Sequence, residues 1–173
     1  MHYTFKIILR KLVVGVLALA AAAAITLFIK ENLDVKDPET ALPSIQITTE
    51  GVVLSPEMVF RAGYEWNFFT ATEINTPVWS TGDILSRTYP VDVPPRAKLE
   101  IDFSLNADTL QVSRSDQSDF SAFVTLADEY PDSLIAPAEA GQYLYKIEAG
   151  FDRRGSIIYY LLLNVKETVA PAA

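Results

Sequence analysis

Pairs of carboxylates are the side chains in this sequence whose spacing could support chemistry. Asp116 and Asp119 lie three residues apart, and Asp128 and Glu129 are adjacent, all in turn-like stretches. A hydrolase that uses two acids holds them roughly 5–10 Å apart across a cleft and raises the pKa of one of them. Adjacent acids in polar turns are usually solvated instead. Hydrolysis by these acids is therefore the weaker interpretation, and none of the four is assigned as catalytic.

Side chains that could ligate a metal or act as a cysteine nucleophile are scarce. The single histidine is His2, which precedes a long hydrophobic segment, and the chain has no cysteine. A histidine triad or zinc site is therefore excluded after that segment, and a disulfide or thiolate site is excluded throughout. Asp116 and Asp119 lack the twelve-residue pattern of a calcium loop. We predict no metal site and no cofactor.

The lysines and glycines carry no enzymatic signature either. A serine–lysine nucleophile needs a lysine that is desolvated beside a serine, and the sequence contains no glycine-rich phosphate loop. The lysines that follow the hydrophobic segment are predicted on polar strand faces or in a linker: Lys36, Lys98, Lys146 and Lys166. The sequence therefore predicts a protein that is not an enzyme and has no catalytic residue.

Aromatic side chains are the remaining candidates for ligand recognition. Tyr64, Trp66, Phe69 and Trp79 could stack on sugar rings or hold a peptide, although such residues more often belong to a hydrophobic core. Trp79 is the exception, because it lies in an irregular, proline-rich segment where an aromatic ring is more often exposed. We predict Trp79 as a candidate surface for a ligand or partner. Exposed edge strands would offer a second mode, pairing with a strand of a partner.

The segment that places these residues in the cell is Leu12–Ile29, an uncharged run without proline. As an α-helix it would be about 27 Å long, close to the ~30 Å hydrocarbon core of a bilayer. Arg10 and Lys11 precede it and favour an N-terminus that stays in the cytoplasm. We predict a single-pass cell-membrane protein with a cytoplasmic N-terminus over residues 1–11, a transmembrane helix over 12–29 and an extracytoplasmic C-terminal region.

A cleaved secretory signal is the alternative interpretation of the same segment. Basic residues precede it, and small residues at Ala18, Ala20, Ala22 and Ala24 resemble those near a cleavage site. However, the apolar run exceeds the ~7–15 residues usual for a signal, and cleavage among the alanines would leave the apolar residues ITLFI at the new N-terminus. A retained anchor is therefore favoured.

Charge is distributed unevenly along the chain. Residues 1–30 contain four basic residues and no acid, so the rest of the chain carries 22 acidic and 10 basic residues (14 minus 4), a net charge of −12 against −8 overall. This excess disfavours nucleic acid and anionic phosphate surfaces as partners. We predict that the protein partners the membrane through its helix, and another membrane or envelope protein through its outer part. The sequence leaves the oligomeric state open.

Alternating hydrophobicity after the membrane segment predicts β-structure. Residues 30–43 are polar, contain two prolines and are predicted to form a linker. Residues 44–168 contain seven to eight short runs of alternating apolar and polar residues, separated by turn signals, which is typical of an all-β domain. Asp83–Arg87 could form a helical turn capped by Thr81 or Asp83. Residues 169–173 are predicted to be a frayed tail.

The strongest strand signals form a C-terminal hairpin. Gln142–Phe151 and Ile157–Lys166 both alternate, and the loop between them contains Gly155. Apolar residues also occupy the second face of the pair: Leu144, Ile158, Tyr160 and Leu162. We therefore predict that this hairpin is central in its sheet or covered on both sides.

The hairpin also carries a family resemblance. The stretch PAEAGQYLYKIEAGFDRRGSIIYYLLLNV resembles the closing strands of immunoglobulin-like (Ig-like) extracytoplasmic domains of Gram-positive bacteria, as do RAGYEWNF and VDVPPRAKLEIDFSLNADTLQV upstream. The similarity covers roughly residues 58–166, and a tryptophan expected near Phe151 is absent. The matching positions are Gly141, Tyr143, Phe151, Gly155 and Tyr159.

The resemblance implies a fold and a setting. Similar domains occur as membrane-anchored proteins of unassigned role and as ectodomains of antirepressor-type membrane metallopeptidases of the β-lactam-sensor kind. The peptidase part has no counterpart here, so its activity does not transfer. The fold implied is an Ig-like antiparallel β-sandwich of about seven to eight strands, in which Tyr143 would form the structural tyrosine corner. We predict a non-enzymatic interaction or sensor domain, with binding of cell-wall glycan or peptide by exposed aromatic residues as the alternative.

Overall fold

The computed structural model describes residues 2–68, 71–126 and 133–166, with side chains from Lys6 onward. Within these ranges the chain forms three α-helices, one 3-10 turn and eleven β-strands. It divides into two compact units, Met1–Ala41 with Phe68–Ala71, and Leu42–Asn67 with Thr72–Ala173. The first unit is dominated by one helix and the second by β-sheet.

Helix α1, His2–Lys36, makes up most of the first unit. It is long and apolar enough to cross a membrane, and none of its most apolar window is buried by other residues. The predicted hydrophobic helix is therefore present. A signal sequence near an N-terminus satisfies the same criteria of length and composition, so both interpretations of the segment stand.

The helix continues into the segment predicted to be a linker. Residues 30–36 belong to α1, and Pro38–Ala41 forms the short helix α2. Residues 30–37 contain no glycine or proline, so nothing ends the helix before Pro38. Pro38 disfavours helical backbone at Asp37, the residue before it. Lys30 and Asp34, one turn apart, form an ion pair at 3.7 Å. The polar composition of this segment reflects its exposure rather than a lack of structure.

The second unit contains all eleven strands that the structure describes. It also contains a 3-10 turn at Pro56–Met58 and helix α3, Thr81–Arg87. The strands are β1 Ile45–Thr49, β2 Val52–Val53, β3 Val59–Asn67, β4 Thr72–Asn75, β5 Val91–Val93, β6 Lys98–Phe103, β7 Thr109–Asp116, β8 Asp119–Thr125, β9 Ser133–Ile135, β10 Gly141–Phe151 and β11 Gly155–Val165.

The strands form two sheets. The small sheet has the order β2-β1-β6-β9, and the large sheet has the order β4-β3-β11-β10-β7-β8, with β5 paired in parallel to β11 as a seventh strand. All other pairs are antiparallel. The predicted mainly-β architecture is confirmed at this level. The predicted number of strands is too low, because β4, β5 and β9 have only three or four residues each and are too short to show a period of two.

The two sheets meet through aromatic side chains. Phe103 of β6 contacts the rings of Phe151 and Tyr159 in the large sheet, with centroid distances of 5.6 and 6.1 Å. We call the face of the large sheet that carries Phe151 and Tyr159 its inner face, and the opposite face its outer face. Trp66 and Tyr64 also lie in this core, with exposed fractions of 4% and 6%, as their alternation with polar residues predicts.

Strands β10 and β11 pair along their whole length and lie at the centre of the large sheet, as predicted. The turn between them needs Gly155, whose φ of +125° is accessible to glycine. A Cβ at this position would also collide with the Glu65 carbonyl on β3. Both faces of the pair are covered near Leu144 and Leu162, which are 0% and 5% exposed on the outer face.

Candidate functional site

The outer face of the large sheet consists of a covered half and an open half. In the covered half, Ile84 of α3 packs with Leu144 and Leu162 to form a small hydrophobic cluster. Partly buried side chains from α3, its flanking segment and neighbouring strands pack against this cluster: Trp79, Leu85, Phe120, Phe123 and Tyr160. The irregular segment of the sequence thus forms a cover over one half of the sheet.

A capping box starts α3 at Ser80. The Ser80 hydroxyl accepts a hydrogen bond from the Asp83 amide at 3.1 Å, and the Ser80 amide donates to the Asp83 carboxylate at 3.3 Å. The hydrogen bonds from Ser80 lower the pKa of the Asp83 carboxyl group. The predicted helical turn is present, but it begins two residues earlier and its cap is Ser80 instead of Thr81 or Asp83.

Trp79 is attached to a β-bulge in β3. Its indole Nε1–H donates a hydrogen bond to the Ala62 carbonyl at 2.6 Å. The pairing between β3 and β11 shifts register here, since Gly63 faces Ile158 while Arg61 faces Tyr159, and Ala62 has no counterpart. A bulge disrupts the regular ladder locally, so the indole supplies a hydrogen bond to a carbonyl at the interrupted position.

The ring of Trp79 is half-buried. The edge of Phe60 packs on it at a centroid distance of 5.2 Å, and the guanidinium carbon of Arg87 lies 4.6 Å from its centroid. Arg87 is 5.6 Å from the Phe60 centroid as well, so the cation stacks on both rings. These contacts explain the position of Trp79 in the fold. Its use as a ligand or partner surface stays a prediction.

The open half of the outer face forms a concavity of about 710 Å³. Its floor consists of β7, β10 and β11, where Gln111 faces Glu148 and Glu148 faces Ile158 across the ladder. A Cβ at Gly150 would collide with the Thr109 hydroxyl, so glycine keeps this floor flat. The side chains and backbone that line it are Thr109, Leu110, Gln111, Thr125, Leu126, Glu148, Ala149, Gly150, Ser156 and Ile158.

The chemistry of this concavity suits an uncharged ligand. Its ten lining residues provide hydroxyl, amide and carboxylate groups and no cation. The one carboxylate, Glu148, forms an ion pair with Lys146 at 2.7 Å, and both side chains are about 30% exposed, 33% and 28% respectively. A neutral ligand rich in hydrogen-bonding groups therefore matches it better than an anion. Sequence analysis missed this surface, because its polar residues have the pattern of an ordinary solvent-facing strand side.

Tyr143, the predicted tyrosine corner, makes a hydrogen bond to upstream backbone. Its hydroxyl donates to the Glu139 carbonyl at 3.1 Å. The guanidinium carbon of Arg114 lies 5.5 Å from the Tyr143 ring centroid on the neighbouring strand. The hydrogen bond resembles that of a tyrosine corner, and the assignment to an Ig-like corner stays a prediction.

The carboxylate pair Asp116 and Asp119 occupies the turn between β7 and β8. Each carboxylate accepts hydrogen bonds from the amide and hydroxyl of the serine two residues later, Ser118 and Ser121 respectively. These bonds lower the pKa of both carboxyl groups, which is the opposite of the raised pKa that a general acid needs. Asp128 and Glu129 lie outside the described residues, as does Phe69.

The described residues contain no metal-binding group, and three of the candidate lysines form surface ion pairs. Within residues 2–68, 71–126 and 133–166, no group of three or more histidine, cysteine, aspartate or glutamate residues could hold a metal ion. Three of the lysines considered above lie beside carboxylates: Lys98 is 2.9 Å from Glu100, Lys146 is 2.7 Å from Glu148 and Lys166 is 2.7 Å from Asp92.

Comparison with known proteins does not assign the chain to a family. The sequence matches no protein-family model, and a search of curated proteins likewise finds no match. The resemblance to Gram-positive Ig-like ectodomains therefore stays a prediction.

Proposed function

We propose that this protein is a non-enzymatic interaction or sensor domain, an Ig-like β-sandwich held at the outer face of a bacterial membrane by one helix with a cytoplasmic N-terminus. The observation that carries the proposal is α1. Its apolar stretch has no protein partner in the described structure, while the β-sheet unit in the same chain has its own core. An exposed apolar helix of this length can bury its side chains in the hydrocarbon core of a bilayer.

The geometry of the acids supports a binding role over a hydrolytic one. Asp116 and Asp119 are exposed, and their hydrogen bonds stabilise the ionised form. The net charge of −12 after residue 30 is ordinary for a domain that faces an aqueous compartment, and it disfavours binding to an anionic surface. Such a domain would act by holding a partner.

Cysteine labelling tests the topology directly, since the natural chain has no cysteine. Gln46→Cys places a thiol on an exposed position of β1, and Lys6→Cys places one on the N-terminal side of the apolar stretch. A membrane-impermeant maleimide should label the first variant in intact cells and the second only after permeabilisation. Labelling in the reverse pattern would contradict the proposal. Recovery from the culture medium of a cleaved protein that lacks residues 1–24 would contradict it as well.

Binding of a cell-wall glycan or peptide is a second candidate, favoured by the concavity on the outer face. Its volume lies within the range of roughly 300–1,000 Å³ found for small-ligand sites. Its lining combines apolar side chains with hydroxyl and amide groups, and its one charged residue is the paired Glu148. Gln111→Ala should then reduce retention of the full-length protein on isolated cell wall without lowering its melting temperature. If Trp79→Ala has that effect and Gln111→Ala does not, the aromatic surface is the site.

A further inference from the structure

The floor of the concavity carries two rows of outer-face positions that run across β7, β10 and β11. The first row holds an amide, a carboxylate and an apolar side chain: Gln111, Glu148 and Ile158. The second row holds two hydroxyls on either side of a glycine: Thr109, Gly150 and Ser156. Neighbours within a row are about 5 Å apart, and the rows are about 7 Å apart. The floor therefore measures roughly 10 by 7 Å, which is comparable to a small saccharide.

Three hydrogen-bonding side chains of these rows are available to a ligand. Thr109, Gln111 and Ser156 are exposed, and within the described ranges none of the three side chains is hydrogen-bonded to another side chain or to backbone. The Thr109 hydroxyl lies over Gly150, where a Cβ would otherwise project. A ligand can therefore replace the water that solvates these groups without breaking a hydrogen bond inside the protein.

The central strand of the floor is not available to a peptide backbone. Strand β10 is paired with β7 on one side and with β11 on the other, so a partner strand cannot add to it. Proline-rich segments need a groove lined by aromatic side chains, and the ten residues that line the concavity include no aromatic one. The lining therefore favours recognition through side-chain hydrogen bonds, which suits the many hydroxyl groups of a saccharide.

Charge narrows the class of saccharide. The residues that line the concavity include no cation, so a carboxylate, phosphate or sulfate group on the sugar would bring an uncompensated negative charge. The Glu148 carboxylate is paired with Lys146 at 2.7 Å. It is therefore a hydrogen-bond acceptor whose charge is already compensated, and an ammonium group on the sugar would have to compete with Lys146 for it. A neutral saccharide satisfies both conditions.

We propose that the open half of the outer face binds a neutral saccharide that carries an acetamido group. Such a group presents a carbonyl, an N–H and a methyl group, and the first row presents their complements. The Gln111 amide donates to the carbonyl, the Glu148 carboxylate accepts from the N–H, and Ile158 contacts the methyl group. The Thr109 and Ser156 hydroxyls bond to hydroxyls of the ring. The proposal rests on the second candidate function, glycan binding, and names the ligand class of that site.

A matched pair of sugars tests the role of the acetamido group. Chitotetraose and cellotetraose share their ring and linkage, and the first carries an acetamido group where the second carries a hydroxyl. Saturation-transfer difference NMR on the full-length protein in lipid nanodiscs measures the binding of each. We expect chitotetraose to bind about tenfold more tightly, with the strongest transfer to its acetyl methyl protons. Equal affinity for the two sugars, or no binding of chitotetraose, would overturn the proposal.

Two glutamine variants locate the site. Gln111→Ala should weaken chitotetraose binding about tenfold, whereas Gln46→Ala, at an exposed position of β1 in the small sheet, should leave it unchanged. Both variants should melt like the wild type. Unchanged affinity in Gln111→Ala, or a loss of binding in Trp79→Ala alone, would place the sugar elsewhere and refute the proposal. Binding of an uncharged tetrapeptide in place of chitotetraose would refute it as well and identify a peptide ligand.

Retention on isolated cell wall separates the two possible failures. A protein that is retained on the wall but binds no chitotetraose keeps the second candidate function and loses the ligand class assigned here. A protein that is not retained and binds no sugar loses both. Neither outcome affects the membrane topology, which the cysteine-labelling experiment tests independently.

Discussion

From Leu144 to Phe151 along β10, the residues on the inner face of the large sheet are all buried, whereas those on its outer face pass from buried to partly exposed. Tyr145, Ile147 and Ala149 on the inner face are 0% exposed. On the outer face, Leu144 is also 0% exposed, but the Lys146 and Glu148 side chains are 28% and 33% exposed. The same strand therefore contributes to a closed core with its inner face and to a partly exposed surface with one end of its outer face.

The difference shows that the two faces of the large sheet contribute unequally to the stability of the fold. The inner face is closed by the small sheet, so its side chains have little freedom to change. The covered half of the outer face depends on α3 and Trp79, which contact β3 through the indole hydrogen bond to Ala62 and through the ring of Phe60. The open half contributes little burial. Substitutions should therefore have their largest effects on the inner face and their smallest in the concavity.

Phe151→Ala should give the largest effect, because it removes a ring that is 2% exposed and contacts both Trp66 and Phe103. We expect a loss of about 3–5 kcal/mol in the free energy of unfolding. Urea denaturation of the detergent-solubilised full-length protein, followed by tryptophan fluorescence, measures it. A loss below ~1 kcal/mol would mean that the two sheets do not depend on this contact.

Tyr159 should make the inner face sensitive to alkaline pH. Burial raises the pKa of its hydroxyl from 10.0 to about 12, so the folded state holds the proton more tightly than the unfolded chain does. The stability from this group is complete below pH 10 and is lost as the pH rises towards 12. Tyr159→Phe should remove part of this pH dependence in denaturation curves between pH 9 and pH 11.5, and an unchanged slope would contradict the assignment.

Trp79 tests the covered half of the outer face. Trp79→Phe keeps an aromatic ring but deprives the Ala62 carbonyl of its hydrogen bond, and should cost about 1–2 kcal/mol. Trp79→Ala also removes the contacts with Phe60 and Arg87, and should cost about 2–4 kcal/mol. Thermal unfolding of the two variants measures both losses. If Trp79→Ala melts like the wild type, Trp79 is a surface residue and its use for ligand binding gains support.

The open half should tolerate substitution. Ser156→Ala and Gln111→Ala each remove an exposed polar group that lines the concavity. We expect each to change the free energy of unfolding by less than about 0.5 kcal/mol. A loss comparable to that of Trp79→Ala would show that this surface is structural, and the comparison of the two halves would fail.

Several elements could be predicted because their signals are local. The alternation in Gln142–Phe151 and in the strand that follows it defines the central hairpin, and the apolar second face indicates that it is covered. Strand β5 could not be predicted in this way. It has three residues, and its pairing with Leu163, Asn164 and Val165 depends on a strand 72 positions away. A short strand is stabilised by its partner rather than by its own pattern.

The candidate surfaces divide in the same way. Trp79 is a candidate in the sequence because its segment is irregular and rich in proline. Its indole hydrogen bond depends on a bulge at Ala62, which no local sequence pattern predicts. The concavity joins Gln111, Glu148 and Ser156 from three different strands. Their proximity follows from strand order, which the alternation of a single strand does not contain.

The sequence by itself determined an apolar N-terminal helix, an acidic β-rich region after it, a central hairpin with two apolar faces and the absence of thiol chemistry. These properties depend on composition and on the side-chain periods of two residues in a strand and 3.6 residues in a helix. Both periods can be recognised within a short stretch of sequence. Only the tertiary structure decided which half of the outer face is covered, which carbonyl the Trp79 indole donates to, and that residues 30–36 continue helix α1. These features arise from the pairing of strands that are distant in sequence and from the close packing of their side chains.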